Sequence, residues 1–265
     1  MTPGQAAVLG VLQGLTEFLP ISSSGHLELA RLLLGWSGGT LAFDVALHGG
    51  TLLAVLLYFR GDWIRLAAGV WRALTERAWN PHARLAGKLA LASVPAAAFG
   101  AVLEDLAATT FRSPWVILTM LFAVGVLFLV FDRRARGGPP LEEPSLAVAL
   151  GIGVAQALAL IPGTSRSGIT MVAAIAFGLN RSSAARFSFL LSGPIIFGAM
   201  LFELDEAAAL PAVPLAVGVA ASALSGGLAI AFLLRYLGRH SFVPFAWYRI
   251  LLAAGAGAWL WARGV

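Results

Sequence analysis

The sequence predicts an all-α polytopic membrane protein. It reads as an inverted-topology repeat with two re-entrant helix pairs and about six spanning helices. Three observations predict this. Of 265 residues, 59% are hydrophobic and 12% are charged, against roughly 25% charged in soluble domains; the mean hydropathy is +0.85. Apolar runs near the length needed to cross a hydrocarbon core of roughly 30 Å recur along the chain. And two stretches share one skeleton. Gln13-Gly-Leu-Thr-Glu17-Phe-Leu-Pro20-Ile-Ser22-Ser23-Ser24-Gly25-His26 is matched by Gln156-Ala-Leu-Ala-Leu-Ile-Pro162-Gly-Thr164-Ser165-Arg166-Ser167-Gly168. At an offset of 143, Gly10, Val11, Gln13, Leu15, Ser22, Ser24 and Gly25 recur as Gly153, Val154, Gln156, Leu158, Ser165, Ser167 and Gly168.

The first apolar segment, Gln5–Leu19, stops at Pro20 and is followed by a short helix, Gly25–Leu34. No basic residue precedes it and no small-x-small cleavage pattern follows it, so it does not read as a signal peptide. Ala147–Ile161 stops in the same way at Pro162, before Gly168–Leu179. Segments of this length reach roughly 20 Å at 1.5 Å per residue, too little to span. Broken pairs of that kind are expected to dip into the membrane, their irregular backbone facing a polar cavity.

The predicted spans are Phe43–Phe59, Arg84–Leu103, Pro114–Phe131, Phe187–Phe202, Leu215–Leu234 and Phe245–Trp261. Trp63–Trp79 reads as an amphipathic interfacial helix with Arg65, Arg72 and Glu76 on its polar side and Trp63, Trp71 and Trp79 as anchors, or equally as a plain cytoplasmic loop helix. Gly137–Pro144 is the clearest linker, joining repeats at approximately 1–136 and 145–265 of one membrane domain. The match extends, with a one-residue slip, from Phe43-Asp44-x-x-Leu47-His48-Gly49 to Phe187-Ser188-x-x-Leu191-Ser192-Gly193.

Charge sets the orientation. Arg60, Arg65, Arg72, Arg77, Arg84, Lys88, Arg133, Arg134, Arg136, Arg181, Arg186, Arg235 and Arg239 make 13 of the 18 basic residues. All fall on one side if Phe43–Phe59 runs from outside to inside, and the positive-inside rule makes that side cytoplasmic. Glu104, Asp105, Glu203, Asp205 and Glu206 fall on the other, with Arg112 and Arg263 nearby. The first broken pair then dips in from outside and the second from the cytoplasm, which puts the site between the halves near the midplane. A pI near 10.7 would suit a nucleic-acid binder, but the charges sit in loops between apolar runs, so no nucleic-acid partner is expected. Cysteine is absent, which excludes disulfides and thiolate-ligated metals.

Chemistry concentrates at the two breaks. A carboxylate at membrane depth needs a partner and a cavity, and Gln13 shares the helical face of Glu17. Ser22, Ser23 and Ser24 open a helix; serines there ordinarily cap, but with Gly25 they also build an anion site from free N–H groups and the helix dipole. Thr164, Ser165, Ser167 and Gly168 repeat that arrangement. A serine is a nucleophile when a base takes its proton, and His26 is of the commonest type for such transfer. Arg166 is an always-charged fork suited to phosphate; an ion pair with Glu17 in the empty site is the simplest partner for it. Asp44 and His48 share a helical face and read as metal or relay residues or as solvated groups near the outer boundary, the latter preferred. Arg249 reads as a snorkelling or cavity-lining cation.

At these residues the sequence resembles the undecaprenyl-diphosphate phosphatase family of the bacitracin-resistance (BacA) type, from end to end. Gln13-Gly-Leu-Thr-Glu17, continuing to His26, looks like the family's Glu/Gln-x-x-x-Glu motif; Pro162-Gly-Thr-Ser-Arg166-Ser-Gly168 looks like its Pro-Gly-x-Ser-Arg-Ser-Gly motif. The resemblance implies hydrolysis of the C55 polyprenyl diphosphate to the monophosphate and inorganic phosphate. That recycles the lipid carrier for peptidoglycan and gives bacitracin tolerance. It implies Glu17, Ser23, His26 and Arg166 as essential positions, with Gln13, Ser24 and Ser165 as accompanying polar positions. It implies a bacterial inner-membrane location and a divalent cation, Mg or Ca. Here Glu17 is the one firm acid, so substrate phosphates and water would have to complete the coordination. The mechanism read from this is phosphoryl transfer at the outer, periplasmic side, with Ser23 as nucleophile and His26 and Glu17 as acid/base; a phosphohistidine at His26 or direct attack by water activated by Glu17 stay open, and a homodimer is one compatible assembly. A transporter or flippase of phosphorylated polyprenyl lipid is the alternative from another class, but Ser23 with Glu17 and His26 favours chemistry. A type 2 phosphatidic acid phosphatase is excluded, since no histidine lies between Arg166 and His240.

Overall fold

The computed structural model describes residues 1–36, 41–103, 106, 110–135, 144–202 and 209–264. The protein is all-helical, with eleven α-helices among the described residues. In chain order these are α1 (Pro3–Phe18), α2 (Ser23–Leu34), α3 (Leu41–Tyr58), α4 (Arg60–Thr75), α5 (Pro81–Val102), α6 (Pro114–Phe131), α7 (Leu146–Ala157), α8 (Arg166–Ala176), α9 (Arg181–Phe202), α10 (Ala212–Leu237) and α11 (Val243–Ala262). A 3₁₀ turn at 158–160 extends α7. Linker residues 137–143 and the outer acids Glu104, Asp105, Glu203, Asp205 and Glu206 lie outside the described residues.

Six helices, α3, α5, α6, α9, α10 and α11, are long and apolar enough to cross a membrane. The chain is a multi-pass membrane protein. Its spanning helices turn large apolar side chains outward, as at Leu57, Val102, Leu228 and Leu251. In water that surface would be a liability; in a bilayer it is the expected exterior. The expected spans match these helices to within a few residues, apart from the start of α9, which begins at Arg181 rather than Phe187. The interfacial segment differs more. Helix α4 ends at Thr75, so Trp79 lies beyond it. Asn80 caps α5 there, its side chain accepting from Ala83 N, and Pro81 takes the first helical position, which the preceding chain cannot enter as a helix.

The short helices are gripped crosswise. Helix α1 packs most extensively on α10, while α7 packs on α5. Both contacts depend on duplicated glycines. A Cβ at Gly10 would meet the Gly218 carbonyl oxygen at 2.3 Å, and one at Gly153 would meet the Ala92 carbonyl oxygen at 2.3 Å. Only hydrogen fits between backbones that close, which gives a physical reason for glycine at both positions. Gly10→Ala and Gly153→Ala are each expected to cost about 1–3 kcal/mol or more, the usual overpacking penalty, because the obstructing atoms are main chain. Gly87→Ala and Gly198→Ala meet nothing within 4 Å and should be neutral or slightly stabilising. Melting of the detergent-solubilised variants reads the difference. Equal melting of all four would mean that the helices separate freely at these crossings.

The two breaks also have matching geometry. Ser22 (φ 80°) and Ser165 (φ 70°) both hold backbone angles unfavourable to a residue with a side chain. Each is the N-cap of the helix that follows, accepting from Gly25 N at 3.4 Å and Gly168 N at 3.0 Å. Strain of this kind costs about 1–3 kcal/mol and persists where surroundings enforce it. The basic loops meet at one end of the bundle. Arg181 forks onto buried Asp132, which also accepts from Phe242 N, and Arg186 and Arg65 both pair with Asp62.

Candidate functional site

Glu17 is the centre of the site. It lies on the last turn of α1, with only 5% of its side chain exposed. Its Oε1 accepts from Arg166 Nη2 at 2.7 Å. Its Oε2 accepts from the Ser23 hydroxyl at 2.6 Å and from Gln13 Nε2 at 3.2 Å. The carboxylate thus joins the two breaks, 149 positions apart in sequence. Pro20 ends α1 immediately past Glu17, and the chain turns so that Ser23 opens α2 over the carboxylate. Arg166 opens α8 and is steadied by a second bond, Nη1 to the Ser188 carbonyl at 3.0 Å.

The serines divide by role. Ser22 and Ser165 are buried and act as caps. Ser24 and Ser167 clasp the breaks together. Gly163 N donates to Ser24 Oγ at 3.4 Å, and Ser167 Oγ donates to the Leu19 carbonyl at 3.4 Å. Each of these two hydroxyls also contacts its own cap, Ser22 at 3.3 Å and Ser165 at 3.1 Å. Ser23 is the one serine of the first break whose hydroxyl is held by the carboxylate. The Thr164 hydroxyl is fully buried and unpartnered, as are both amide atoms of Gln156, the counterpart of Gln13. The first-turn amides at Ser23–Gly25 and Arg166–Gly168 belong to helix starts, where N–H groups lack intrahelical acceptors; those of Gly25 and Gly168 are capped.

His26 is bonded to Ser22 and Tyr248 rather than to Ser23. Its Nδ1 lies 2.6 Å from the Ser22 carbonyl, so Nδ1 carries the hydrogen, and Nε2 receives the hydroxyl of Tyr248 at 2.7 Å. The two rings are also stacked, 5.6 Å apart. The carbonyl fixes the tautomer, leaving the Nε2 lone pair engaged by tyrosine. In this arrangement the Ser23 hydroxyl is bonded to Glu17 and not to His26.

Three residues have settings that sequence reasoning missed. Arg249 does not snorkel. It is fully buried, and its guanidinium donates to the carbonyls of Pro20, Gly163, Thr164, Leu121 and Met120 at 2.8–3.2 Å. One cation thereby staples both breaks to α6. Asp44 is not merely solvated: its carboxylate is bound by Arg31 through both guanidinium termini. His48, on α3, brings Nε2 to 3.4 Å from Glu17 Oε2. The available signal for His48 was its position one turn after Asp44, in the segment matched across the repeats. Tyr248 gave no signal beyond standing next to Arg249.

A protein-held divalent cation does not fit these donors. Both oxygens of Glu17 are already bonded, to a guanidinium on one side and to Ser23 and Gln13 on the other. Among the described residues no group of three or more His, Cys, Asp or Glu side chains could hold an ion, whereas hard cations take six or more oxygens.

Comparison with known proteins finds relatives along nearly the whole chain. The family described as "Bacitracin resistance protein BacA" matches residues 6–255. A curated protein of Gemmatimonas aurantiaca named undecaprenyl-diphosphatase is 50% identical, covering 99% of this chain and 100% of its own. Proteins of the same name from Rubrobacter xylanophilus and Pelotomaculum thermopropionicum are each 48% identical, over 97% and 95% of this chain and 97% and 94% of theirs.

Proposed function

The chain belongs to the bacitracin resistance protein BacA family, and from that premise we propose that it is a bacterial inner-membrane undecaprenyl-diphosphatase. It hydrolyses undecaprenyl diphosphate to undecaprenyl phosphate and inorganic phosphate, recycling the lipid carrier and conferring bacitracin tolerance. One observation carries the chemistry: a single buried carboxylate holds both a serine hydroxyl and an arginine. A pure carrier of phosphorylated lipid needs the arginine but has no use for an activated hydroxyl.

The prenyl chain stays in the lipid and the diphosphate reaches Glu17 between the two breaks. Arg166 turns part of its fork to the phosphate oxygens, and the open amides at the starts of α2 and α8 add to the positive field. Such electrostatic holding is the main demand of phosphoryl transfer. Ser23 Oγ attacks the terminal phosphorus while Glu17 Oε2 takes its proton. The P–O bond to the lipid phosphate breaks, and undecaprenyl phosphate leaves. The lipid phosphate carries away the proton that Glu17 took. Water then attacks the phosphoserine; Glu17 takes the water's proton and returns it to Ser23 Oγ as the Oγ–P bond breaks, and phosphate is released. His26 enters as acid/base only after it releases Tyr248. Phosphate release from C55 diphosphate by purified protein, with and without EDTA, tests the activity; no release under either condition would overturn it.

The site faces the periplasm. Supporting this, the basic residues around Asp62, Asp132 and α9 share one end of the bundle, the end that positive-inside bias assigns to the cytoplasm. The two repeats then lie in opposite orientations, with both short helix pairs re-entrant. Cysteines introduced at exposed Thr110 and Ala78 in this cysteine-free chain are expected to label from outside and inside respectively. Labelling of both by an impermeant reagent from outside would reject the orientation.

A further inference from the structure

His48 lies outside both helix breaks, yet it approaches the carboxylate on which the site depends. Its Nδ1 is 2.7 Å from the Asp44 carbonyl, an acceptor, so Nδ1 donates. Its Nε2 faces Glu17 Oε2 at 3.4 Å. A bare lone pair on Nε2 would oppose a charged carboxylate oxygen, so one hydrogen lies in that contact. The ring cannot drift from this position easily. Asp44 is anchored by Arg31, and Thr51 binds the His48 carbonyl at 2.8 Å. The His48 side chain keeps 29% of its surface exposed, against 5% for Glu17 and 11% for Arg166.

We propose that His48 is a positioning residue that keeps Glu17 aimed at Ser23 when Arg166 turns to the substrate. In the empty site Arg166 supplies the positive partner on Oε1. Phosphate oxygens compete for the same N–H groups. Glu17 is too buried for water to replace what it loses, and a buried carboxylate without a partner is strongly disfavoured. His48 holds Oε2, the oxygen that also holds Ser23, so its donor keeps the reacting pair aligned through the exchange.

The inference rests on the reading of Ser23 and Glu17 as the reacting pair, and His48→Gln beside His48→Met tests it. The two replacements have similar length and flexibility, but only glutamine offers an N–H to Glu17. With purified protein and a polyprenyl diphosphate in micelles, His48→Met is expected to lose about 100-fold in kcat, the usual scale for a misplaced reacting group. KM should stay within about threefold, and His48→Gln should recover at least about a tenth of wild-type kcat. Retention of kcat by His48→Met, equal losses in both variants, or a loss carried by KM would each overturn the proposal. Should His48→Met fail to fold, Glu17→Gln with His48→Met decides. A neutral amide at 17 removes the demand for a donor, so folding should return to that of Glu17→Gln alone; continued failure overturns the proposal. An inactive wild-type protein would instead overturn the phosphatase reading, while the melting of these variants would still report on the contact.

Discussion

Arg166→Ala is expected to lower kcat by about 10²–10³-fold, or about 2.7–4 kcal/mol, the typical loss for one preorganised donor to a developing oxyanion. Arg166→Lys should fall well below wild type although it keeps the charge. The native fork reaches two acceptors in different directions, Glu17 at 2.7 Å and the Ser188 carbonyl at 3.0 Å. One ammonium cannot hold both and still present a hydrogen to phosphate. Stability gives an independent reading. Removing one side of a buried pair costs about 3–5 kcal/mol where nothing compensates; here Gln13, Ser23 and His48 soften the loss. Glu17→Gln combined with Arg166→Ala should cost less than the two single losses summed, as expected for side chains in contact. Additive stability losses, or near-normal turnover by Arg166→Lys, would show that the two breaks do not form one site.

Ser23→Ala should abolish nearly all hydrolysis while leaving affinity for a non-hydrolysable diphosphate within a few-fold, because a nucleophile acts on the reaction more than on ground-state binding. Glu17→Gln should lose about 10²–10⁴-fold, the range for a positioned general base. The two act as one unit through a 2.6 Å hydrogen bond. The double variant should therefore be scarcely worse than Ser23→Ala alone, the non-additivity expected of residues that share one step. Near-wild-type turnover by Ser23→Ala would move the attack to water held by Glu17. A trapped phosphohistidine would move it to His26, which would first have to release Tyr248.

Much of this architecture was legible because membrane insertion imposes a strong pattern. Apolar runs, prolines and serine–glycine starts give the spans and breaks directly, since lipid tolerates no unsatisfied backbone. The Glu17–Arg166 pairing was legible for the same reason: two ionisable groups at depth must find partners. What escaped was set by tertiary approach. His48 faces Glu17 because α3 packs beside the first break, and helical periodicity does not say which helix comes alongside. Arg249 resembled an interfacial arginine because its five acceptors are carbonyls from three segments, and carbonyls leave no trace in side-chain sequence. The end of α4 was misplaced because tryptophan spacing suggested a longer helix than Asn80 and Pro81 allow.

The crosswise grip on the short helices has a consequence for the order of synthesis. Helix α1, bearing Glu17, is made well before its main seat, α10. Until then α1 is too short to stand across the bilayer and lacks the surface that its glycines fit. Chains fold segment by segment as they are made, so α1 must wait for a helix made much later. A nascent chain that has reached Phe202 already contains Glu17, Ser23, His26 and Arg166, yet α1 still lacks its main packing surface. Assembly of the site is thereby tied to α10, which seats α1, and to α11, which carries Arg249.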